Sequence, residues 1–279
     1  MGACQHAHVS RRPQVVAHRG ASADEAEHTL AAYRRAIEVG ADALECDVRL
    51  TRDGVLVCVH DRRVDRTSTG RGVVSTLELS DLAELDFGSW HQPDTDMLLS
   101  ASWEAPDTDR RQVLTLERLL ETVRDCGRHV ELAIETKHPT RYAGLVELTL
   151  VDLLARFGLT RPDGDGRYRA RVMSFASSSL RRVHALAPGL PTVYLMERVP
   201  LRLRDGALPS VTTAAGPSLR ALRAIPEYVE RVHARGGEVH VWTVDRADDV
   251  RFVLDLAVDV VITNRPAAVL RQVEESAAS

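Results

Sequence analysis

An α/β chain folded as a (β/α)8 TIM barrel is predicted by three features. Short apolar runs alternate with helix-like segments from end to end, eight such runs can be counted, and 279 residues suit a single barrel domain. The runs are Gln14–His18, Ala43–Val48, Val130–Thr136, Arg171–Phe175, Thr192–Met196, Ser210–Thr213, Glu238–Thr243 and Asp259–Thr263. Helices are expected over Thr29–Val39, Thr115–Cys126, Arg141–Phe157 and Pro226–Arg235, stopped by Gly40, Gly127, Gly158 and Gly236. Between Met196 and Ser210 none is expected, because Pro200, Gly206 and Pro209 break the pattern. No internal repeat of fixed period is present.

A further strand-like run, Val55–His60, follows Asp53-Gly54, a pair that signals a two-residue hairpin. It is expected to return antiparallel to the second strand, outside the barrel proper, and to bring His60 opposite Asp47 with Cβ atoms roughly 4.5–5.5 Å apart. From Asp61 to Gln112 the pattern weakens, with Gly72, Pro93 and Pro106, so residues 61–112 are expected to form a small insertion after that hairpin, over the barrel mouth. The expected organisation is a tail over 1–13, the barrel domain over 14–272 and a C-terminal tail over 273–279.

Hydrophobic residues make up 44% and charged residues 27% of the chain, which favours neither disorder nor a membrane span. A net charge of −4 gives no general attraction to nucleic acid, and no integral membrane association is expected. Cys4, Cys46, Cys58 and Cys126 contain no C-x-x-C pair and read as reduced thiols. No apolar run precedes Arg11 and Arg12, so a cleavable signal peptide is not expected and the location is expected to be cytoplasmic.

Glu45 and Asp47 are two apart on a strand, so both carboxylates project from one face and can share a cation. Glu135 and Lys137 repeat the arrangement at another strand end. Three oxygen ligands suit one divalent cation, Mg2+ or Ca2+, and no Cys/His cluster at zinc spacing competes. Any one Glu-x-Asp alone would read as a solvated ion pair; the three carboxylates together carry the metal reading. His18 closes the first strand and is followed by Arg19-Gly20, where an arginine can fork onto phosphate oxygens. His60 is expected beside the carboxylates, and an imidazole there can exchange protons near neutral pH.

His18-Arg-Gly, Glu27-His-Thr, Gly40-Ala-Asp-Ala-Leu-Glu-Cys-Asp-Val and Thr51-Arg-Asp-Gly-Val-Leu-Val-Cys-Val-His-Asp resemble, in order and spacing, the glycerophosphodiester phosphodiesterase family. The resemblance continues through Glu135-Thr-Lys137, Met173-Ser-Phe, Trp242-Thr-Val-Asp245 and Val258-Asp-Val-Val-Ile-Thr-Asn-Arg-Pro266, and covers the chain after about Val15. It implies a metal-dependent hydrolysis of glycerophosphodiesters, a small-molecule substrate class, to sn-glycerol 3-phosphate and an alcohol. His18 and His60 would be the acid/base pair, Glu45, Asp47 and Glu135 the metal ligands, and Arg19 and Lys137 phosphate contacts. Trp242 would wall the glycerol pocket, and Glu27 would sit near the metal behind its ligands. The family's Pro-Glu-Asn-Thr reads Ala26-Glu-His-Thr29 here. His28 therefore stands in the asparagine place, which bears on a local turn or hydrogen bond rather than on the chemistry.

The other nine of the 11 histidines are read as tail, surface or structural residues, with His240 as a hydrogen-bonded interior histidine. Cys46 alternates away from Glu45 and Asp47 and reads as packing. Two rivals share these residues: a cyclising lipid phosphodiesterase on a similar barrel, and a silent barrel that only binds phosphate-containing ligands.

Overall fold

The computed structural model describes residues 12–91, 107–142 and 144–277; the expected N-terminal tail up to residue 11 and residues 92–106 of the expected insertion lie outside these. Among the described residues nine strands are formed in order. They are β1 (Gln14–His18), β2 (Ala43–Leu50), β3 (Leu56–Cys58), β4 (Glu131–Thr136), β5 (Ala170–Ser174), β6 (Thr192–Met196), β7 (Ala214–Pro217), β8 (Glu238–Val241) and β9 (Val260–Thr263). Neighbours run β1-β9-β8-β7-β6-β5-β4-β2, and a parallel β1–β2 pairing closes the ring, so eight parallel strands make a TIM barrel. β3 pairs antiparallel with β2 on its outer side.

Alternation along each strand decides what fills the barrel. Val16, Ala43, Ala133, Met173, Val193, Leu195, Val260 and Ile262 form one interior cluster. Their outward neighbours, such as Leu44, Cys46, Leu132 and Ile134, pack under the surrounding helices. Those helices start where the sequence places acceptors: Thr29 caps Leu30–Glu38 by accepting from the Ala32 amide, and Thr115 caps Leu116–Asp125 by accepting from the Arg118 amide. Between Met196 and Ser210 only a single 3-10 turn, Leu201–Leu203, is formed.

Three expectations are corrected. The seventh strand is Ala214–Pro217 rather than Ser210–Thr213. Ala-Ala-Gly-Pro has no apolar bulk to mark it, and a Cβ at Gly216 would meet the Leu195 side chain at 2.6 Å, so small residues are what fit there. The last helix, Pro266–Ala277, runs past residue 272, where the barrel was expected to end, and Val273 is buried in its packing.

The third correction concerns the hairpin. The Thr51 amide donates to the Val55 carbonyl, so the loop is Arg52-Asp53-Gly54, three residues with Gly54 at φ 85°. The Asp53 carboxylate is engaged elsewhere, accepting from the Leu79 amide. A turn followed by a left-handed glycine makes a three-residue connection and moves the register by one. Val48 therefore faces Cys58, and the Val59 amide, not that of His60, donates to the Asp47 carbonyl. Asp47 and His60 are not cross-strand partners.

Val57 of β3 and the residues after it, Val59, Val64, Val74, Leu82 and Phe87, build a satellite core. Trp90 lies outside that core, 36% exposed, with the Arg66 guanidinium over its ring.

Candidate active site

Parallel register brings the carboxylates together. Glu45 sits beside Ala133, Asp47 beside Glu135, and Val48 beside Thr136, so the inward side chains of β2 and β4 stack in layers. Glu45, Asp47 and Glu135 are buried, and oxygens from all three lie within 4.8 Å of one another. One step further toward the strand ends, Arg49 and Lys137 form a cationic layer over the acidic one. Lys137 Nζ lies 2.7 Å from Glu135 and 2.9 Å from Asp47.

Burial and the charge of Asp47 hold the Glu45 pKa well above the carboxylate range. The same two causes push Glu135 up to about 8. Burial alone would raise Asp47 too, but Lys137, His28 and Arg19 hold it well below its ordinary value. Two of the three buried carboxylates, Glu45 and Glu135, thus disfavour their charged forms, and all three offer oxygen donors only. They fit one hard divalent cation.

Arg19 is tied into the same cluster from β1. Its backbone N–H donates to Glu45 at 2.8 Å, its Nε lies 3.2 Å from Asp47, and its Nη1 donates to Glu27 at 3.1 Å. Glu27 is behind Arg19, not among the clustered carboxylates, and also accepts from Arg66 at 2.7 Å. Arg66 Nε donates to Asp61 at 2.7 Å, and Asp61 accepts from His60 Nδ1 at 2.7 Å. A continuous chain of charge pairs therefore runs from Asp47 to His60, although the two are not strand partners. Arg66 lies in the segment that sequence patterning left unread.

Both expected acid/base histidines lie at the strand ends with one nitrogen committed. Asn264 Nδ2 donates to Asp245 at 2.7 Å, which turns its Oδ1 toward His18 Nδ1 at the same distance. His18 must then donate from Nδ1 and keep the Nε2 lone pair. Burial, with Arg19 beside it, pushes the His18 pKa down to about 3. His60 donates from Nδ1 to Asp61 and likewise keeps Nε2, its pKa lowered mainly by burial. His60 lines a mouth cavity of about 570 Å3 together with Arg49, Glu135, Lys137 and Phe175.

Trp242 follows β8, donates its indole N–H to the Gly216 carbonyl at 2.8 Å, and meets Phe175 edge-on with centroids 5.5 Å apart. His240, as expected, is buried inside the barrel, with Nε2 3.0 Å from Glu238.

Two residues of the site escaped sequence reasoning. Buried His28 has Nε2 2.9 Å from Asp47 and Nδ1 2.8 Å from the Tyr33 hydroxyl, which donates to the Glu45 carbonyl. Its φ of 63° offers the signal that was available: Asn adopts that conformation readily, and its place was recognisable in the motif. Arg49 follows Glu45 and Asp47 at the same two-residue step, so its direction was legible from parity alone.

The glycerophosphoryl diester phosphodiesterase family model matches residues 18–268. Probable glycerophosphodiester phosphodiesterase 1 of Mycobacterium tuberculosis is 47% identical over 275 residues, covering 97% of this chain and 96% of that protein. The glycerophosphodiester phosphodiesterase of Bacillus subtilis is 36% identical over 255 residues, covering 90% and 83%. In fold, an Oleispira antarctica phosphodiesterase solved with the product sn-glycerol-3-phosphate is similar, with a TM-score of 0.75 at 22% identity over 94% of this chain and 97% of that one. A family match across most of the chain, with close relatives over nearly its whole length, makes this protein an enzyme of the glycerophosphoryl diester phosphodiesterase family.

Proposed function

We propose that the protein hydrolyses glycerophosphodiesters to sn-glycerol 3-phosphate and an alcohol, with one divalent cation, Mg2+ or Ca2+, and two histidines. The observation that carries the reading is the group Glu45, Asp47 and Glu135, buried at the strand ends with oxygens within 4.8 Å of one another. Those three carboxylates would hold the cation, which when bound neutralises phosphate charge and lowers the cost of negative charge developing at phosphorus. The protein's own residues do the rest. Arg19 and Lys137 face the same cluster and orient the anionic diester. Trp242 and Phe175 supply an apolar wall for the glycerol carbons. His18 and His60 present Nε2 lone pairs held by Asn264 and Asp61, so one accepts the proton of the attacking hydroxyl and the other, once protonated, delivers one to the leaving alcohol.

We place the reaction at the mouth of the barrel that begins near residue 14, beside the segment that follows β3, and propose a cytoplasmic location. A coupled assay for glycerol 3-phosphate release from several head-group diesters, with and without chelator, tests the function. Release that chelator abolishes supports it. A persistent cyclic phosphate as sole product would assign a cyclising reaction instead, and no turnover of any diester would overturn it.

A further inference from the structure

Beside the mouth lies a second cavity of about 200 Å3, enclosed between the ends of β2 and β4, the turn Val74–Thr76 and the loop Pro139–Tyr142. Among the described residues its lining includes Arg49, Arg62, Lys137 and Arg141 and no carboxylate. Four cations around one small cavity stand out in a chain of net charge −4. Three of them, Arg49, Arg62 and Lys137, also line the mouth cavity, so the two spaces adjoin.

Lys137 is held by Glu135 and Asp47, but the partnering of the three arginines separates them from ordinary surface charge. Arg63 is paired with Asp65, and Arg66 with Asp61 and Glu27. Arg49 instead donates to a backbone carbonyl, that of His60, at 2.7 and 3.0 Å, and has no carboxylate within ion-pair distance among the described residues. Arg141 likewise donates to the Ser75 carbonyl. Among the described residues neither Arg62 nor Arg141 has a carboxylate within ion-pair distance.

We propose that this cavity binds a phosphate dianion: a phosphomonoester on the alcohol part of the substrate, which would make diesters with an additionally charged head group preferred. A free phosphate ion shares that chemistry and is the other source to be distinguished. Arginine suits either, because its planar fork matches phosphate oxygens. The preference for such head groups rests on the reading of the mouth as a glycerophosphodiesterase site; the binding of the dianion does not.

The test pairs glycerophosphoinositol with glycerophosphoinositol 4-phosphate, which differ by one phosphate, in the wild type and in Arg62→Glu/Arg141→Glu. Both positions are exposed and neither touches the carboxylate cluster, so the variant is expected to fold, with circular dichroism as the check. Charge-assisted contacts of this kind correspond to roughly a tenfold preference in kcat/KM for the phosphorylated substrate, and the variant should lose it through KM. That result assigns the cavity to the head group. In parallel, calorimetry with inorganic phosphate measures binding without turnover. If the wild type has no head-group preference but binds phosphate about tenfold more tightly than the variant, the cavity is assigned to the free ion. If the substitutions alter neither measurement, the proposal is overturned. Should neither diester be hydrolysed, the function fails, and phosphate calorimetry still decides the cavity.

Discussion

His28, not His60, is the histidine in contact with Asp47: its Nε2 lies 2.9 Å from Asp47 Oδ2, with the imidazole buried. Because the Tyr33 hydroxyl donates to the Glu45 carbonyl, its oxygen is left to accept from His28 Nδ1, with Nε2 on the Asp47 side of the ring. One small network thus holds the backbone of Glu45 and the side chain of Asp47 together.

Residues that orient metal ligands typically affect metal affinity by about 10–100-fold. His28→Ala is therefore expected to weaken Mg2+ or Ca2+ binding within that range, read by calorimetry. His28→Asn, whose residue type tolerates the local φ of 63°, should fold as well as the wild type and lose less. Equal metal affinity in the wild type and both variants would limit His28 to packing.

Glu45, Asp47 and Glu135 repel one another when charged, and a cation relieves that repulsion. Chelation should abolish turnover and lower the melting temperature, while Mg2+ or Ca2+ restores both. Glu135→Gln should reduce the metal-induced rise in melting temperature. An unchanged rate after exhaustive chelation, with no heat of binding, would remove the metal from the mechanism.

Much of this was legible because parity along a strand is a hard geometric rule. Gln14–His18 and Thr192–Met196 have the bounds read from their apolar runs, and Glu45, Asp47 and Glu135 converge because inward positions recur every second residue. What failed depended on single residues. The loop Arg52-Asp53-Gly54 differs from a two-residue turn by one residue, and that one residue separates Asp47 from His60. β7 is hidden because Ala214-Ala-Gly-Pro has packing space for small side chains only. Arg66 acts through a contact 39 residues away along the chain, to Glu27, which no local pattern encodes.

Trp242→Ala should raise KM for glycerophosphodiesters more than it lowers kcat, since the indole is anchored to the Gly216 carbonyl and packed on Phe175 rather than placed among the charged groups. Steady-state kinetics on one unactivated diester is sufficient. A collapsed kcat at unchanged KM would assign Trp242 to the chemistry or to the fold.

Away from the mouth, His233 Nε2 lies 2.8 Å from Asp259, which raises the imidazole pKa and lowers the carboxyl pKa. A histidine raised on folding contributes stability that is full below its unfolded pKa, ~6.5, and is lost as pH rises through the folded value. The lowered carboxyl contributes above its unfolded pKa, ~3.9, and loses that as pH falls through its folded value. His233→Gln should therefore cost most stability between about pH 4 and 6.5, and less at pH 8. Urea denaturation at pH 5.5 and pH 8 checks this; an equal cost at both would show that the ion pair contributes nothing.

The two histidines proposed as acid and base give the most demanding prediction. His18 is held through Asn264 and Asp245, and His60 through Asp61 and Arg66, so each imidazole has Nδ1 committed and Nε2 left as the nitrogen that could move a proton. Neither is in the clustered carboxylate group, so His18→Ala and His60→Ala should each preserve cation binding while lowering kcat roughly 10²–10⁴-fold. If they act on opposite sides of one phosphorus, the double variant should lose little beyond the worse single one, because groups acting as a unit are not additive. Their environments alone do not rank them as base and acid, since both pKa values are lowered chiefly by burial. Leaving-group chemistry does: a nitrophenyl diester needs no proton on departure, so it should rescue the variant lacking the general acid and leave the other impaired. Asn264→Ala offers a second check on His18, since losing the Oδ1 acceptor should allow the imidazole to rotate or change tautomer, lowering kcat with metal affinity unchanged. Near-normal hydrolysis of an unactivated diester by either folded single histidine variant would overturn the two-histidine mechanism.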